Sequence, residues 1–515
     1  MREVPGHWGD TRLVAFSLEH GYGFLAGREL DRPFWDPPLF YPERNVAAYT
    51  DLLLAGGITY WPWRALGLAP DTSFQIWIVL AFVLNFVAFS ILLRRALGTS
   101  PLASALGAYL FAFGSSRLAN LAHPQLLFDL FVVTALIALT EVFRLRSAPG
   151  RAGTRRLWWT VFLGCLVFQA WTAFYPLFFL GLFLGLATLA SMALPGARRG
   201  LFELVRADWA FLAPAGVSAA LLVLPVAEHY LFTQDVLGGR PYAAVERSFA
   251  PRPWSWFLMG PANRLYGSFT EMAISWDAEA KLATGTHALG LGLLTPLLAL
   301  GGLWSARRRD AVRVSFAVGA AVVLLATYVP GVGSLWRFVY DAVPGATGIR
   351  AVGRIGIYLL VPAGFGIALL ADRLVARRRG LWLAGGLLLV VAAENAHHVP
   401  SFDKNVYRDR IARIAAAVGP ECETFFVSSE FRPRYQPVPE DAMWATYALG
   451  RPTVNGRYGN LPPGYGMSPP VGRPRELREP LTKWVREHCL PRVCWVHVSG
   501  GAAEPVPFES PGPCR

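Results

Sequence analysis

Charged residues are scarce in this sequence. They account for 16% of its 515 residues, whereas hydrophobic residues account for 54% and the mean hydropathy is +0.36. A typical soluble domain contains about 25% charged residues. The composition therefore excludes an ordinary soluble globular protein and predicts a polytopic all-α chain embedded in a membrane.

Motifs that mark several large enzyme classes are also missing. The chain contains no P-loop, no HExxH zinc motif, and no dinucleotide-binding or nucleophile-elbow motif in a suitable context. The net charge of +13 does not indicate a nucleic-acid surface, because the basic residues are nearly all arginines in short clusters between apolar runs. Such clusters are typical of the cytoplasmic loops of membrane proteins.

Ten apolar runs are predicted to cross the membrane as helices. If the arginine clusters between these runs are cytoplasmic, successive connecting loops lie on alternate sides of the membrane along the whole series. These clusters lie at Arg94, Arg155, Arg198, Arg308 and Arg378. The ten runs are Phe74–Leu93, Leu102–Ser116, Leu126–Phe143, Leu157–Phe174, Pro176–Leu194, Trp209–Val226, His287–Trp304, Val314–Tyr328, Ile355–Leu370 and Leu381–Ala393.

This pattern predicts three segments, residues 1–72, 73–396 and 397–515. Residues 1–72 form a first extracytoplasmic loop, in which the mildly apolar run Ala47–Leu66 is predicted to be an interfacial helix. Residues 73–396 form the transmembrane domain, with large outer loops at 228–286 and 330–354. Because an extracytoplasmic N-terminus without a signal peptide is unusual, we expect one further span before the present start, making eleven in a full-length chain.

The tail, residues 397–515, has no long apolar run and is predicted to be a small extracytoplasmic α/β domain. We expect a helix over Asn405–Val418 and strands over Thr424–Val427 and Cys494–Val498. Four of the five cysteines fall in this tail, namely Cys422, Cys489, Cys494 and Cys514. An even number in an oxidising compartment favours two disulfides over free buried thiols, whereas the spacing does not favour a zinc site.

The polar start of the chain contains the candidate catalytic carboxylates. Asp10 is the first candidate for a general base, since a carboxylate at a membrane surface can accept a proton from a hydroxyl group. The alternative is helix capping, because Asp10 precedes an apolar run. Glu19 and His20 are second candidates, with an exposed helix face as the alternative, and Asp31 and Asp36 are most simply turn residues.

A second polar cluster lies at one outer membrane end. Arg117, Asn120, His123 and Gln125 form either an ordinary connection between spans or the lining of a site. Asp129 lies one turn inside the following apolar run, where an unpaired acid is costly. We therefore expect Arg117 or His123 to be its partner.

Two arginines are predicted on the outer side, although membrane proteins usually concentrate arginine and lysine in their cytoplasmic loops. Arg350 and Arg354 directly precede an apolar run, so they are predicted either to bind phosphate or to form a salt bridge with the tail. The large outer loop also combines aromatic and polar residues that suit either stacking on sugars or contact with lipid headgroups. These residues are Arg240, Glu246, Arg247, Trp254, Trp256, Asn263, Arg264, Tyr266 and Trp276.

Several short motifs together resemble a known group of proteins. The motifs are Gly9–Arg12, Leu39–Pro42, Tyr49–Asp51, Leu110–Phe113, His123–Gln125, Gly348–Arg354 and Pro452–Pro463. In this order they resemble bacterial multi-span proteins of the GT-C glycosyltransferase superfamily. The resemblance covers nearly the whole chain.

The resemblance implies a function and a set of site residues. Proteins of this superfamily use polyprenyl-phosphate sugars and place a catalytic acid in the first outer loop, which assigns that role to Asp10. The acceptor would be a glycan, lipid or protein, and the location would be the bacterial inner membrane. No cofactor is assigned, and a divalent metal ion is left open. The residues expected to bind substrate are Arg12, Glu19, His20, Arg117, His123, Gln125, Arg350 and Arg354.

Two other classes of function compete with sugar transfer. A transporter or flippase of lipid-linked glycans would more often show paired half-repeats with broken helices, and the sequence contains no convincing repeat. A non-catalytic membrane assembly protein could share the same fold. The large outer loop and the tail favour a reaction at the membrane surface.

Overall fold

The computed structural model describes residues 2–28, 32–148, 150–238, 241–276, 284–430 and 437–509. Most of them are helical. The α-helices in chain order are α1 (Asp10–Leu25), α2 (Trp61–Ala65), α3 (Pro70–Leu97), α4 (Pro101–Phe113), α5 (Ser115–Leu118), α6 (Leu130–Arg144), α7 (Ala152–Ala170), α8 (Phe174–Ala193), α9 (Pro195–Leu237), α10 (Tyr242–Phe249), α11 (Gly267–Ser275), α12 (Leu294–Ser305), α13 (Asp310–Ala326), α14 (Trp336–Ala342), α15 (Leu360–Val375), α16 (Gly380–Glu394), α17 (Lys404–Ala417), α18 (Val438–Leu449) and α19 (Pro474–Glu487). The strands are β1 (Glu3–Pro5), β2 (Tyr328–Val329), β3 (Gly333–Ser334), β4 (Ser401–Asp403), β5 (Thr424–Ser429), β6 (Val493–Ser499) and β7 (Ala502–Val506).

The ten apolar runs overlap, in order, with α3, α4, α6, α7, α8, α9, α12, α13, α15 and α16, although several helices begin or end some residues away from the predicted bounds. Within the described residues, five helical stretches are long and apolar enough to cross a membrane. They are Pro70–Leu97, Pro124–Arg144, Phe174–Ala193, Pro195–Leu237 and Val352–Val375. The helices α12 and α16 are apolar but shorter. The described residues are thus mostly helical and include helices that are long and apolar enough to cross a membrane, and the total of ten spans stays a prediction.

The run Ala47–Leu66 does not form the single helix that was predicted. It is divided into a 3-10 helix at Val46–Tyr49, another at Ala55–Thr59, and the short helix α2. Leu53 adopts a positive φ of 55°, which an α-helix does not tolerate. A Cβ atom at Gly57 would overlap the Trp61 indole ring, so this turn requires glycine.

The chain divides into two compact units. The first unit comprises Met1–Ile76, Val226–Gly238 and Pro400–Arg515, and the second comprises Trp77–Pro225 and Gly239–Val399. In the second unit, α15 packs closely against α4 and α12. Glycines permit these crossings, because a Cβ atom at Gly302 would overlap the carbonyl oxygen of Gly366.

The tail in the first unit confirms the predicted elements. The helix α17 and the strands β5 and β6 lie where the sequence predicted them. The strand order is β5-β6-β7, with β5 and β6 parallel and β6 and β7 antiparallel. A disulfide joins Cys422 and Cys494, which confirms at least one predicted disulfide, whereas Cys514 lies outside the described residues. The strand β1 pairs antiparallel with β4 of the tail.

Candidate functional site

Asp10 lies at the first position of α1, in the first unit. The N-cap position is occupied by Gly9, so Asp10 is not the cap residue that the alternative interpretation required. Its side chain is 36% exposed, and one carboxylate oxygen lies 3.9 Å from Nε of Arg457. The same guanidinium nitrogen lies 2.9 Å from a carboxylate oxygen of Glu440, which is fully buried. Asp10 is thus a partly exposed carboxylate beside a cation, and its role as the general base stays a prediction.

Arg12 is oriented into the interior of the first unit. Its Nη1 lies 2.5 Å from a carboxylate oxygen of Asp441, and both side chains are buried. The guanidinium also lies over the Tyr407 ring, 4.5 Å from the centroid. These contacts fix the first turn of α1, and a role for Arg12 in substrate binding stays a prediction.

Glu19 and His20 are buried, so the alternative of an exposed helix face is wrong for both. The Glu19 carboxylate accepts hydrogen bonds from Arg64 at 2.7 and 2.8 Å and from the Tyr60 hydroxyl at 2.6 Å. Nε2 of His20 is 2.7 Å from the Phe34 carbonyl oxygen. Both residues therefore pack α1 against the loop that follows it, and their predicted contact with substrate is not established by these bonds.

The turn assignment of Asp36 agrees with its contacts, because its carboxylate accepts a 2.6 Å hydrogen bond from the Asn45 amide. Asp31 and Arg240 lie outside the described residues.

Arg117 and Asp129 form a buried ion pair in the second unit. Nη1 of Arg117 lies 2.7 Å from a carboxylate oxygen of Asp129, and neither side chain is exposed. The Tyr358 hydroxyl donates to the other oxygen at 3.2 Å, and the Asn85 side chain accepts from the Asp129 amide. The predicted partner of Asp129 is therefore confirmed as Arg117.

His123 and Gln125 are partly buried at the turn before α6. His123 occupies the N-cap position of the 3-10 helix Pro124–Leu126. The side-chain oxygen of Gln125 is buried and has no hydrogen-bond partner among the described residues. Because this oxygen is buried, the lining role of Gln125 stays a prediction.

Arg350 and Arg354 are brought to one aromatic cluster of the second unit. The hydroxyl of Tyr175 accepts hydrogen bonds from the Arg350 amide at 2.9 Å and the Ala351 amide at 3.0 Å. The Arg354 guanidinium lies over the Tyr175 ring at 4.9 Å, and that of Arg350 lies over the Phe249 ring at 5.4 Å. Arg354 is 7% exposed, and its Nε has no hydrogen-bond partner in the described part of the chain.

An apolar cavity of about 950 Å³ lies between helices of the same unit. Arg354 belongs to the 3-10 helix Val352–Leu359, and Leu359 and Pro362 line the cavity. At a 3-10 rise of about 2 Å per residue, Leu359 is roughly 10 Å along the chain from Arg354. The cavity lining also includes Trp256, Leu300, Phe316, Leu324, Val332 and Phe338.

A second cavity, of about 1030 Å³, is lined by aromatic residues of the large outer loop. Trp254, Tyr266 and Trp276 are among the residues predicted to stack on sugars or contact headgroups, and all three line this cavity. Phe257, Phe269 and Tyr328 add three further aromatic rings. Three of the four aromatic residues singled out in this loop thus line one concave surface, whereas Trp256 lines the first cavity.

Sequence reasoning missed Tyr175, Glu440 and Arg457. The importance of Tyr175 comes from packing against a segment far along the chain, which no local pattern reveals. Arg457 does lie in the Pro452–Pro463 motif, but its pairing with Glu440 depends on tertiary structure.

Comparisons with known proteins give a likeness of fold. No family model and no curated protein matches the chain. The oligosaccharyltransferase AglB from Archaeoglobus fulgidus, in complex with an inhibitory peptide and a dolichol-phosphate, has a TM-score of 0.53 at 12% identity. The alignment covers 96% of this chain and 66% of AglB. The arabinofuranosyltransferase AftD from Mycobacteria has a TM-score of 0.50 at 17% identity, with coverages of 88% and 31%.

ArnT from Cupriavidus metallidurans, bound to undecaprenyl phosphate, has a TM-score of 0.47 at 13% identity over 96% of this chain and 89% of ArnT. The present chain therefore spans slightly less than two thirds of AglB and about a third of AftD. The resemblance to the GT-C superfamily is confirmed at the level of the fold.

Proposed function

We propose that this protein is a membrane glycosyltransferase that transfers a sugar from a polyprenyl-phosphate donor to an acceptor at the extracytoplasmic face of a bacterial inner membrane. The observation that carries this proposal is the pair of arginines Arg350 and Arg354 beside Tyr175 and Phe249, together with the apolar cavity. A lipid phosphate needs cationic donors for its headgroup and an apolar channel for its chain. Arg350 and Arg354 supply the first requirement, and the helices that line the cavity, chiefly α12, α13 and the start of α15, supply the second.

In the proposed reaction, a hydroxyl oxygen of the acceptor attacks the anomeric carbon of the donor sugar. Asp10 accepts the hydroxyl proton while the new carbon–oxygen bond forms. The bond between the anomeric carbon and the phosphate oxygen breaks, and the lipid phosphate leaves with its electron pair. Arg350 and Arg354 stabilise the negative charge that develops on this leaving group.

The AglB structure contains a dolichol-phosphate, which is a lipid phosphate of the proposed donor class. The proposal assigns the same class of ligand to this chain. The acceptor, whether glycan, lipid or protein, is left to experiment.

The test measures release of polyprenyl phosphate from a series of polyprenyl-phosphate hexoses and pentoses by the purified protein in lipid nanodiscs, with an extract of bacterial lipids and glycans as the source of acceptor hydroxyl groups. The wild-type protein is expected to release polyprenyl phosphate from at least one donor. Asp10→Asn is expected to lower the rate by about 10²–10⁴-fold, the usual contribution of a general base, without a change in folding. Near-normal release by Asp10→Asn would reject Asp10 as the base.

The phosphate site is tested in the same assay. Arg354→Lys keeps the charge but loses the planar fork, so it is expected to raise the KM for the donor. Arg313→Lys is the matched control, because Arg313 is exposed and pairs with Asp310. Movement of the donor across the bilayer without release of polyprenyl phosphate would support a flippase instead.

A further inference from the structure

Arg457 lies between two carboxylates of the first unit. Its Nε is 2.9 Å from Glu440 and 3.9 Å from Asp10. Glu440 is fully buried, whereas the side chains of Asp10 and Arg457 are about one-third exposed. The buried Glu440 carboxylate therefore holds the arginine on its interior side, and the partly exposed Asp10 carboxylate is the one that solvent can reach.

The segment that presents Arg457 is fixed on both sides. The Asn455 side chain pairs with the backbone of β5, accepting from the Val427 amide at 2.7 Å and donating to its carbonyl at 2.8 Å. The Asn455 carbonyl accepts from the Phe40 amide at 3.0 Å. A Cβ atom at Gly456 would overlap the Phe40 ring, so this close approach requires glycine. Arg457 therefore extends from a rigid turn.

The helix that carries Asp10 is fixed by the neighbouring carboxylate of α18. Asp441 binds Arg12 at 2.5 Å and Arg410 at 2.8 Å. Consecutive residues of α18 thus hold the first turn of α1 and the arginine beside it. Among the described residues, the charged and titratable groups that belong to this network or lie next to Asp10 in the chain include His7, Arg12, Arg410, Glu440, Asp441 and Arg457.

We propose that Arg457 is a positioning residue that orients the Asp10 carboxylate and stabilises its ionised form, and that Glu440 sets the strength of this effect. A guanidinium within about 4–6 Å favours the charged form of a carboxylate. The Glu440 carboxylate offsets part of the arginine charge, so Asp10 keeps enough basicity to accept a proton. The tail would then contribute directly to the catalytic carboxylate of the first loop, which rests on the function proposed above.

The experiment follows Asp10 directly. Aspartate carboxyl carbons are labelled with ¹³C in the full-length protein in detergent micelles, and the signal that disappears in Asp10→Asn identifies Asp10. In Arg457→Gln the titration midpoint of that signal is expected to rise by about one pH unit, because a stabilising cation is lost. In Glu440→Gln it is expected to fall, because the arginine charge is no longer offset.

Controls separate this effect from a general change in surface charge. Arg475→Gln and Glu479→Gln make the same charge changes at exposed positions of α19 and are expected to leave the midpoint unchanged. Arg457→Lys keeps the charge and is expected to stay near the wild-type midpoint. If Arg457→Gln does not fold, the direction of the shift in Glu440→Gln decides the proposal.

The proposal would be overturned if the Asp10 midpoints in Arg457→Gln and Glu440→Gln matched those in Arg475→Gln and Glu479→Gln. An ion pair with a purely structural role would change stability, but it would not shift the Asp10 midpoint in opposite directions in the two variants. In the transfer assay, the acid limb of the pH profile should move in the same directions. Failure of the proposed function is recognised separately, by transfer that persists in Asp10→Asn or is absent in the wild-type protein.

Discussion

Asp129 shows how a single acid inside an apolar run determines its surroundings. Its carboxylate pairs with the Arg117 guanidinium and accepts a hydrogen bond from the Tyr358 hydroxyl, and both charged side chains of the pair are fully buried. The sequence could predict that Asp129 needed a cationic partner, since an unpaired charge in a membrane is costly. It could not choose between Arg117 and His123, because both lie within reach along the chain.

The ion pair predicts an asymmetric response to mutation. Arg117→Met is expected to destabilise the protein by about 3–5 kcal/mol, because it leaves Asp129 buried without its counter-charge. The double variant Arg117→Met with Asp129→Leu should recover much of this loss. Thermal unfolding in detergent measures both, with Arg313→Met as the exposed control, for which at most about 1 kcal/mol is expected. Equal losses in the single and double variants would contradict the argument.

A buried histidine of the tail gives a prediction about pH. Burial lowers the pKa of His497 below its ordinary value of 6.5, although the nearby carboxylates of Glu430 and Glu504 oppose this shift. Its Nδ1 lies 2.9 Å from the Ser428 hydroxyl. A histidine that stays neutral in the folded state contributes stability above pH 6.5, and this contribution is lost as the pH falls through the folded-state pKa.

We therefore expect the tail to lose stability on acidification from about pH 7 to pH 5, the range in which histidine takes up a proton. His497→Gln should reduce the difference between melting temperatures measured at the two pH values. His398→Gln, at an exposed position of the second unit, serves as the control. An unchanged pH difference in His497→Gln would reject His497 as its source.

At the level of elements, hydrophobicity located the helices well and their ends less well. The run Trp209–Val226 lies inside α9, which extends from Pro195 to Leu237. Hydropathy marks only the apolar part of a helix, whereas polar turns continue the same backbone hydrogen bonds at both ends. The break in Ala47–Leu66 depends on one positive φ and on a glycine that contacts an indole ring, and neither appears in an average over the window.

Helix crossings give the clearest element-scale prediction. Gly302 faces Gly366 of α15 so closely that a methyl group cannot fit, whereas the adjacent Gly301 has open space around its Cα atom. Gly302→Ala should therefore cost at least about 1–3 kcal/mol through overpacking. Gly301→Ala should be neutral or stabilising by about 0.4–1 kcal/mol, because alanine is the better helix former.

Melting temperature and the yield of monodisperse protein in detergent measure both variants. The pair is matched in chemistry and in helix, and it differs only in the direction that the new methyl group faces. Similar behaviour of the two variants would show that α12 and α15 do not pack through this contact.

For the whole molecule, the sequence could predict which segments are apolar and which are polar, but it could not predict which segments fold together into one compact unit. The first 76 residues belong to the same compact unit as residues 400–515. The pairing of β1 with β4 and the ion pairs of α18 produce this grouping. The same reason explains why Asp10 could be nominated from sequence while Glu440 and Arg457 could not, since their relation to Asp10 exists only after folding.

The side of the membrane on which the first unit lies can be tested directly. The arginine clusters predict that Arg308 is cytoplasmic and that the tail is extracytoplasmic. A disulfide between Cys422 and Cys494 agrees with an oxidising compartment, because cytosolic thiols are kept reduced. Glu487→Cys and Arg308→Cys place single new thiols at exposed positions of the two regions.

In intact cells, a membrane-impermeant maleimide should label Glu487→Cys above the background of the parent chain. Arg308→Cys should be labelled only after the membrane is permeabilised. The two variants control each other for expression and reactivity, since both are labelled once the membrane is open. Labelling of Arg308→Cys alone in intact cells would invert the topology, and it would place Asp10, in the same compact unit as the tail, on the wrong side for an extracytoplasmic acceptor.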